Sequence, residues 1–118
     1  MTTTALHHVA ICVDDVPAAI RFYVEDLGLR IRPDRPAFGF DGAWLQVGGQ
    51  QVHLMEGQAA STSAHFALQV DELDAVVADL RGKGHSVSDP SGVGNDRQAF
   101  LKDPSGNLVE LHEVPPAP

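Results

Sequence analysis

The stretch Val9-Ala10-Ile11-Cys12-Val13-Asp14-Asp15 returns 57 residues later as Phe66-Ala67-Leu68-Gln69-Val70-Asp71-Glu72. In both places an aliphatic run ends on an acidic pair, which reads as a strand passing straight into a capped helix. At that offset the two halves of the chain align without a gap. Gln51-Val52-His53-Leu54-Met55-Glu56 falls on Leu108-Val109-Glu110-Leu111-His112-Glu113, with Val52/Val109, Leu54/Leu111 and Glu56/Glu113 identical. Strand-like, helix-like and turn-like segments in the same order twice over point to a duplicated module.

Working outward, each module opens with a strand, His7 to Val13 and His65 to Val70. Asp14 or Asp15, and Asp71, then cap helices whose apolar residues recur at helical spacing: Val16, Ile20, Tyr23 and Leu27, then Leu73, Val76, Val77 and Leu80. Gly28, and Gly82 or Gly84, suit the left-handed position just past a helix end. Beyond them the sequence predicts short extended stretches near Arg30 to Arg32 and His85 to Ser88. Irregular loops carrying Pro33, Pro36, Pro90, Gly92 and Gly94 follow. Two hairpins close the modules. One joins Ala43–Val47 to Gln51–Met55 through Gly48-Gly49; the other joins Gln98–Lys102 to Leu108–Glu113 through Asp103–Asn107. The expected fold class is α+β, two tandem βαβββ modules at about 5–57 and 64–114 within a single domain, 1–118.

Composition bounds the function. At 118 residues and 43% hydrophobic content the chain can bury one contiguous core, and 16 Asp+Glu against 8 Lys+Arg give a net charge of -8. Nucleic acid and anionic membranes are poor partners for such a surface. The lone Cys12 makes no internal disulfide, and Met1–Ala5 lacks the charged and apolar regions of a signal peptide, so a cytoplasmic protein is expected. Val114–Pro118, with its three prolines, reads as a frayed tail.

The offset also aligns chemistry. His8 lands on His65, and His53 lands on Glu110, so the first and last strands of each module carry one ligand-type side chain apiece. Residues two apart on a strand share a face. His8 therefore lies with Ala10 and Cys12, His65 with Ala67 and Gln69, His53 with Gln51 and Met55, and Glu110 with Leu108 and His112. The intervening Val, Ile, Leu and Phe residues belong against the helices, which leaves all four donors on the other face. Three imidazoles and one carboxylate suit one divalent ion, Zn, Ni, Co, Mn or Fe(II). His7 points away from His8, and His112, one pleat from Glu110, is a candidate to orient a ligand or touch substrate.

The paired modules, together with "LHHVAICVDD", "FYVEDLGL", "AHFALQVDELD" and "FLKDPSGNLVELHE", resemble the vicinal oxygen chelate superfamily across nearly the whole chain. That superfamily includes glyoxalase I, methylmalonyl-CoA epimerase, extradiol dioxygenases, fosfomycin-resistance thiol transferases and bleomycin-binding proteins. The resemblance implies a cupped, half-open mixed β-sheet with helices on the outer face. It also implies a divalent metal held at the positions of His8, His53, His65 and Glu110. The position of His53 departs from the glutamate of glyoxalase I and the glutamine of the epimerase, which weakens a literal glyoxalase reading.

The leading expectation is a glyoxalase-like lyase, isomerase or epimerase. It would bind a small oxygenated substrate through two adjacent oxygens, with Glu110 or bound water as the catalytic base. A non-haem iron dioxygenase and an antibiotic-binding or thiol-transferase resistance protein are the alternatives. Phe38, Phe40 and Trp44 are candidates to line a substrate groove, and Arg97 to meet a substrate carboxylate or phosphate. A module offers only two donors, so a complete site needs two modules. They can meet within one chain or across two; the short small-residue link from Gly57 to Ala64 can sit extended, and with the assembly that the resemblance implies this makes a homodimer with shared sites the expectation.

Overall fold

The computed structural model describes residues 1–59 and 63–116. It has the element order β1 (His8–Val13), α1 (Val16–Ile20), β2 (Arg30–Ile31), β3 (Gly42–Val47), β4 (Gln50–Glu56), β5 (His65–Gln69), α2 (Leu73–Gly82), β6 (Ser91–Val93), β7 (Asp96–Lys102) and β8 (Leu108–Glu113). These form two four-stranded mixed sheets of identical topology, β1-β4-β3-β2 and β5-β8-β7-β6. The first and last strands of each module are parallel neighbours, and the remaining pairs are antiparallel. The fold is α+β, built of two βαβββ modules. Among the described residues no helix is long and apolar enough to cross a membrane.

The chain divides into two compact units, Met1–Ser61 with Pro104–Asn107, and Thr62–Asp103 with Leu108–Pro118. The turn Pro104–Asn107 thus groups with the first unit. Its Ser105 hydroxyl accepts from the Asp14 N–H at 3.0 Å and donates to Asp14 Oδ1 at 2.8 Å, and Asn107 Nδ2 donates to the Cys12 carbonyl at 2.9 Å. The link from Gly57 to Ala64 falls partly, and the end of the tail wholly, outside the described residues.

In the first unit the expected strand-to-helix junction forms as read. Asp15 caps α1 by accepting from the Ala18 N–H at 3.0 Å. The helix then widens over Arg21–Asp26, where the Leu27 N–H reaches back five residues to the Phe22 carbonyl at 3.0 Å. This wide turn buries Phe22 and Tyr23 together, and Gly28 ends it at φ 80°. Val52 and Leu54 of β4 and Leu45 of β3 are buried at 2% exposure or less on the same side. Truncating Leu54 to alanine would cost about 2–5 kcal/mol at such a site.

The second unit departs from its expected form in three places. Asp71 does not cap α2. Glu72 occupies the cap position in the left-handed region at φ 52°, and the Leu73 N–H instead donates to Glu113 Oε2 at 2.6 Å. A carboxylate from β8 thereby replaces the local cap, a long-range partner that local sequence rules do not see. The strand expected at His85–Ser88 lies at Ser91–Val93, because Gly94 at φ 58° makes the tight turn that returns this segment onto β7. The gapless repeat also fails in one segment. Trp44 pairs with His53, whereas Phe100 pairs with Glu110, so β3 and β7 correspond at an offset of 56. Pro104 has no N–H to continue the ladder, and five residues separate the paired Lys102 and Leu108 where four separate the equivalent pair Gln46 and Gln51.

Candidate functional site

Register carries the duplication into the chemistry. In the first sheet His8 is opposite Gln51 and His53 opposite Ala10; in the second His65 is opposite Leu108 and Glu110 opposite Ala67. His8 and His53 are therefore neighbours across one strand pair, and His65 and Glu110 across the equivalent pair. Val52, Leu54, Val109 and Leu111 are buried on the opposite faces, as strand alternation requires.

In the second unit the pair is a polar contact. His65 Nε2 lies 3.0 Å from Glu110 Oε1, and His65 Nδ1 donates to the Ser63 carbonyl at 2.9 Å. Because a carbonyl only accepts, Nδ1 carries a proton and Nε2 is the nitrogen turned to the carboxylate. The bond to Ser63 and the contact with Glu110 raise the His65 pKa above the usual imidazole value. Glu110 is 8% exposed, and its second oxygen is held as well: His112 Nδ1 donates to Oε2 at 2.7 Å, and His112 Nε2 donates to Asp96 Oδ2 at 2.7 Å. Two carboxylates on one ring favour the imidazolium, and the Asp96 bond, then the Glu110 bond, raise the His112 pKa. Phe100 closes the group, its ring edge-on to His65 at 5.5 Å.

The first unit builds its pair from aromatic stacking instead. The His8 and His53 rings are parallel at 4.0 Å, and Trp44 stacks on His53 at 4.5 Å. Phe38 sits 6.0 Å from Trp44 and 5.5 Å from Phe40, with the Arg35 guanidinium 5.0 Å above Phe38. Thus Phe38, Phe40 and Trp44 do gather, on the same side as His53, and Phe38 and Phe40 remain exposed. His53 Nε2 donates to Gln51 Oε1 at 2.8 Å, and His7 Nδ1 lies 2.9 Å from His8 Nδ1. Burial, followed by the positive charge of His8, His7, Arg32 and Arg35, lowers the His53 pKa.

The donor chemistry fits a divalent ion best at His65 and Glu110. They are an imidazole and a carboxylate on adjacent strands, and a histidine whose Nδ1–H is anchored on a backbone carbonyl presents Nε2 as its donor atom. In the His8–His53 stack the ring planes are parallel, so one ring must turn before both can share an ion. Among the described residues, no three His, Cys, Asp or Glu side chains gather around one ion position.

Arg97 is placed elsewhere. It shares the helix-covered face with Ala99 and Leu101 and forms a two-pronged bridge to Asp74 at 2.8 and 2.9 Å, with Glu113 at 3.5 Å. Strand alternation turns it away from Glu110, and its guanidinium is engaged by these two carboxylates rather than facing the four donors. In the second unit Asp96 and Phe100, not singled out in the sequence, join the face of His65 and Glu110; in the first, Gln51 lies on the His53 face, as alternation predicts. Asp96 contacts His112 from the neighbouring strand, a relation that appears only once register is known, whereas Gln51 contacts His53 from two residues away on one strand. A cavity of about 330 Å³ lined by Ser86, Phe100, Leu101, Lys102 and Leu108 touches this region through Phe100 but holds none of the donors.

A family model for the Glyoxalase/Bleomycin resistance protein/Dioxygenase superfamily matches residues 5–111. Lactoylglutathione lyase GLX1 of Arabidopsis thaliana is 30% identical over 126 aligned positions, covering 94% of this chain and 44% of the plant protein, so the chain spans less than half of that relative. The mitochondrial methylmalonyl-CoA epimerase of Mus musculus is 27% identical, with 92% of this chain and 72% of the epimerase aligned. A glyoxalase-family protein of Bacillus anthracis superposes with a TM-score of 0.87 at 24% identity, over 98% of both chains, a likeness of fold.

Proposed function

Because the chain belongs to the Glyoxalase/Bleomycin resistance protein/Dioxygenase superfamily, we propose that it is a glyoxalase-like, metal-dependent lyase, isomerase or epimerase acting on a small oxygenated substrate. The observation that carries this reading is the His65–Glu110 pair, an imidazole and a carboxylate 3.0 Å apart on adjacent strands. His8 and His53 complete the donor set in this proposal. These residues would hold a divalent ion, which when bound would supply Lewis-acid stabilisation of negative charge on a substrate oxygen. Glu110 is the group that holds or moves a proton, through Oε1, while His112 keeps Oε2 occupied. Coordination to a divalent ion would favour the ionised form of Glu110. His65 orients Oε1 from the neighbouring strand. Trp44, Phe38 and Phe40 form the apolar wall against which a substrate body would lie.

Each unit contributes two donors, and the proposal places the meeting of the pairs across a homodimer with shared sites. The testing experiment loads the protein with Zn, Ni, Co, Mn or Fe(II). It then follows turnover of lactoylglutathione and methylmalonyl-CoA, the compounds named for the relatives, together with solvent deuterium exchange at the carbon beside the carbonyl. Turnover or exchange that depends on Glu110 supports the reading. Oxygen uptake confined to the Fe(II) form selects the dioxygenase alternative. Stoichiometric binding of an aromatic antibiotic with neither metal retention nor turnover selects the binding alternative, which the exposed Phe38–Phe40 pair favours.

A further inference from the structure

We propose that Asp96 and His112 are a positioning pair that fixes the Glu110 carboxylate as a one-oxygen donor. This deepens the metal-site reading, on which its role in function rests. The chain of contacts is Asp96 Oδ2 to His112 Nε2 at 2.7 Å, His112 Nδ1 to Glu110 Oε2 at 2.7 Å, and Glu110 Oε1 to His65 Nε2 at 3.0 Å. A free carboxylate can turn about its last bond and offer either oxygen, or both. Here His112 occupies Oε2, so Oε1 alone faces His65.

The ring that does this is itself clamped. His112 lies opposite Gln98 on β7, Asp96 is two residues earlier on that strand, and both ring nitrogens are engaged. Glu110 and His112 are on the same face of β8, one pleat apart, so the backbone delivers both to one side of the sheet. The first unit has no counterpart: His112 aligns with Met55, a side chain with no N–H to give. The clamp is thus particular to the one carboxylate among the four donors. Partners of this kind around a ligand change metal affinity by about 10- to 100-fold when removed.

The test measures affinity for Zn by competition with a chromophoric chelator, and Co(II) absorption as a report of donor geometry, in the full chain. Folding is checked by circular dichroism. His112→Ala is expected to weaken Zn binding by about 10- to 100-fold, and Asp96→Ala by about 10-fold, with the Co(II) spectrum altered in both. Asp96→Glu should restore part of the loss. The double variant should bind no worse than His112→Ala alone, because Asp96 acts through His112. Additive losses, or wild-type affinity and spectra in both single variants, overturn the proposal.

A second measurement separates its failure from that of the metal reading. In metal-free protein, NMR should show two hydrogen-bonded ring N–H protons on His112, one lost in Asp96→Ala and the other in Glu110→Ala. If the wild type retains no metal but these protons behave as stated, the metal reading fails and the positioning pair stands. If neither proton is seen, the positioning pair fails whatever the metal result.

Discussion

Two units with the same strand order and the same register between their first and last strands treat their donor pairs in opposite ways. In the first, His53 is sandwiched between His8 and Trp44 and held by Gln51, and burial, followed by surrounding positive charge, lowers its pKa. In the second, His65 faces an acid, and the acid is held in turn by His112 and Asp96, which favours charge on both imidazoles. Duplication thus preserved the backbone positions while the neighbours diverged. A position in a sheet fixes where a side chain projects; its partners one strand away fix what it does.

The sharpest break of this comparison is Glu110→Gln. If the second unit's pair is the stronger half of the site, this variant should lose at least about 100-fold in Zn affinity and abolish turnover, while His53→Gln loses about 10-fold. Equal losses, read by chelator competition, would erase the distinction between the halves. Next in size is complementation between chains. Mixing His8→Ala with Glu110→Gln protein in equal amounts should restore about a quarter of all sites if two copies share them. Metal content and activity that stay at background at every mixing ratio would place each site within one chain.

A smaller effect is expected from Trp44→Ala. It removes the ring that stacks on His53 and joins Phe38, and should lower stability by about 1 to 2 kcal/mol in urea denaturation. It should raise KM more than it lowers kcat if the aromatic wall only holds substrate. The equivalent Phe100→Ala should instead disturb His65, visible in its ring resonances.

Smallest are the titration shifts. In metal-free protein, NMR should find His53 below, and His65 and His112 above, the ordinary imidazole pKa near 6.5. The signs follow from linkage. The raised values of His65 and His112 contribute stability that is complete below the unfolded pKa and is lost as pH rises through the folded one. The lowered value of His53 does the reverse, with stability lost as pH falls below the unfolded pKa. A His53 that titrates above 6.5 would mean that the stack is not its setting in solution.

By itself the sequence determined the two βαβββ modules, the strands that carry His8, His53, His65 and Glu110, and the face on which these lie. Alternation and helical spacing are local properties, and a repeat shows them twice. The aromatic group of Phe38, Phe40 and Trp44 was also legible, since Trp44 shares a strand face that can be counted. Tertiary structure alone decided the rest. Glu113 caps α2 in place of Asp71, Arg97 turns to Asp74, and Asp96 reaches Glu110 through His112. Each of these joins elements distant in the chain, and its existence depends on strand register and hairpin length. One residue more in the second turn put Phe100 where the repeat had placed its neighbour. Local preference fixes which way a side chain points, whereas pairing across strands fixes what it meets.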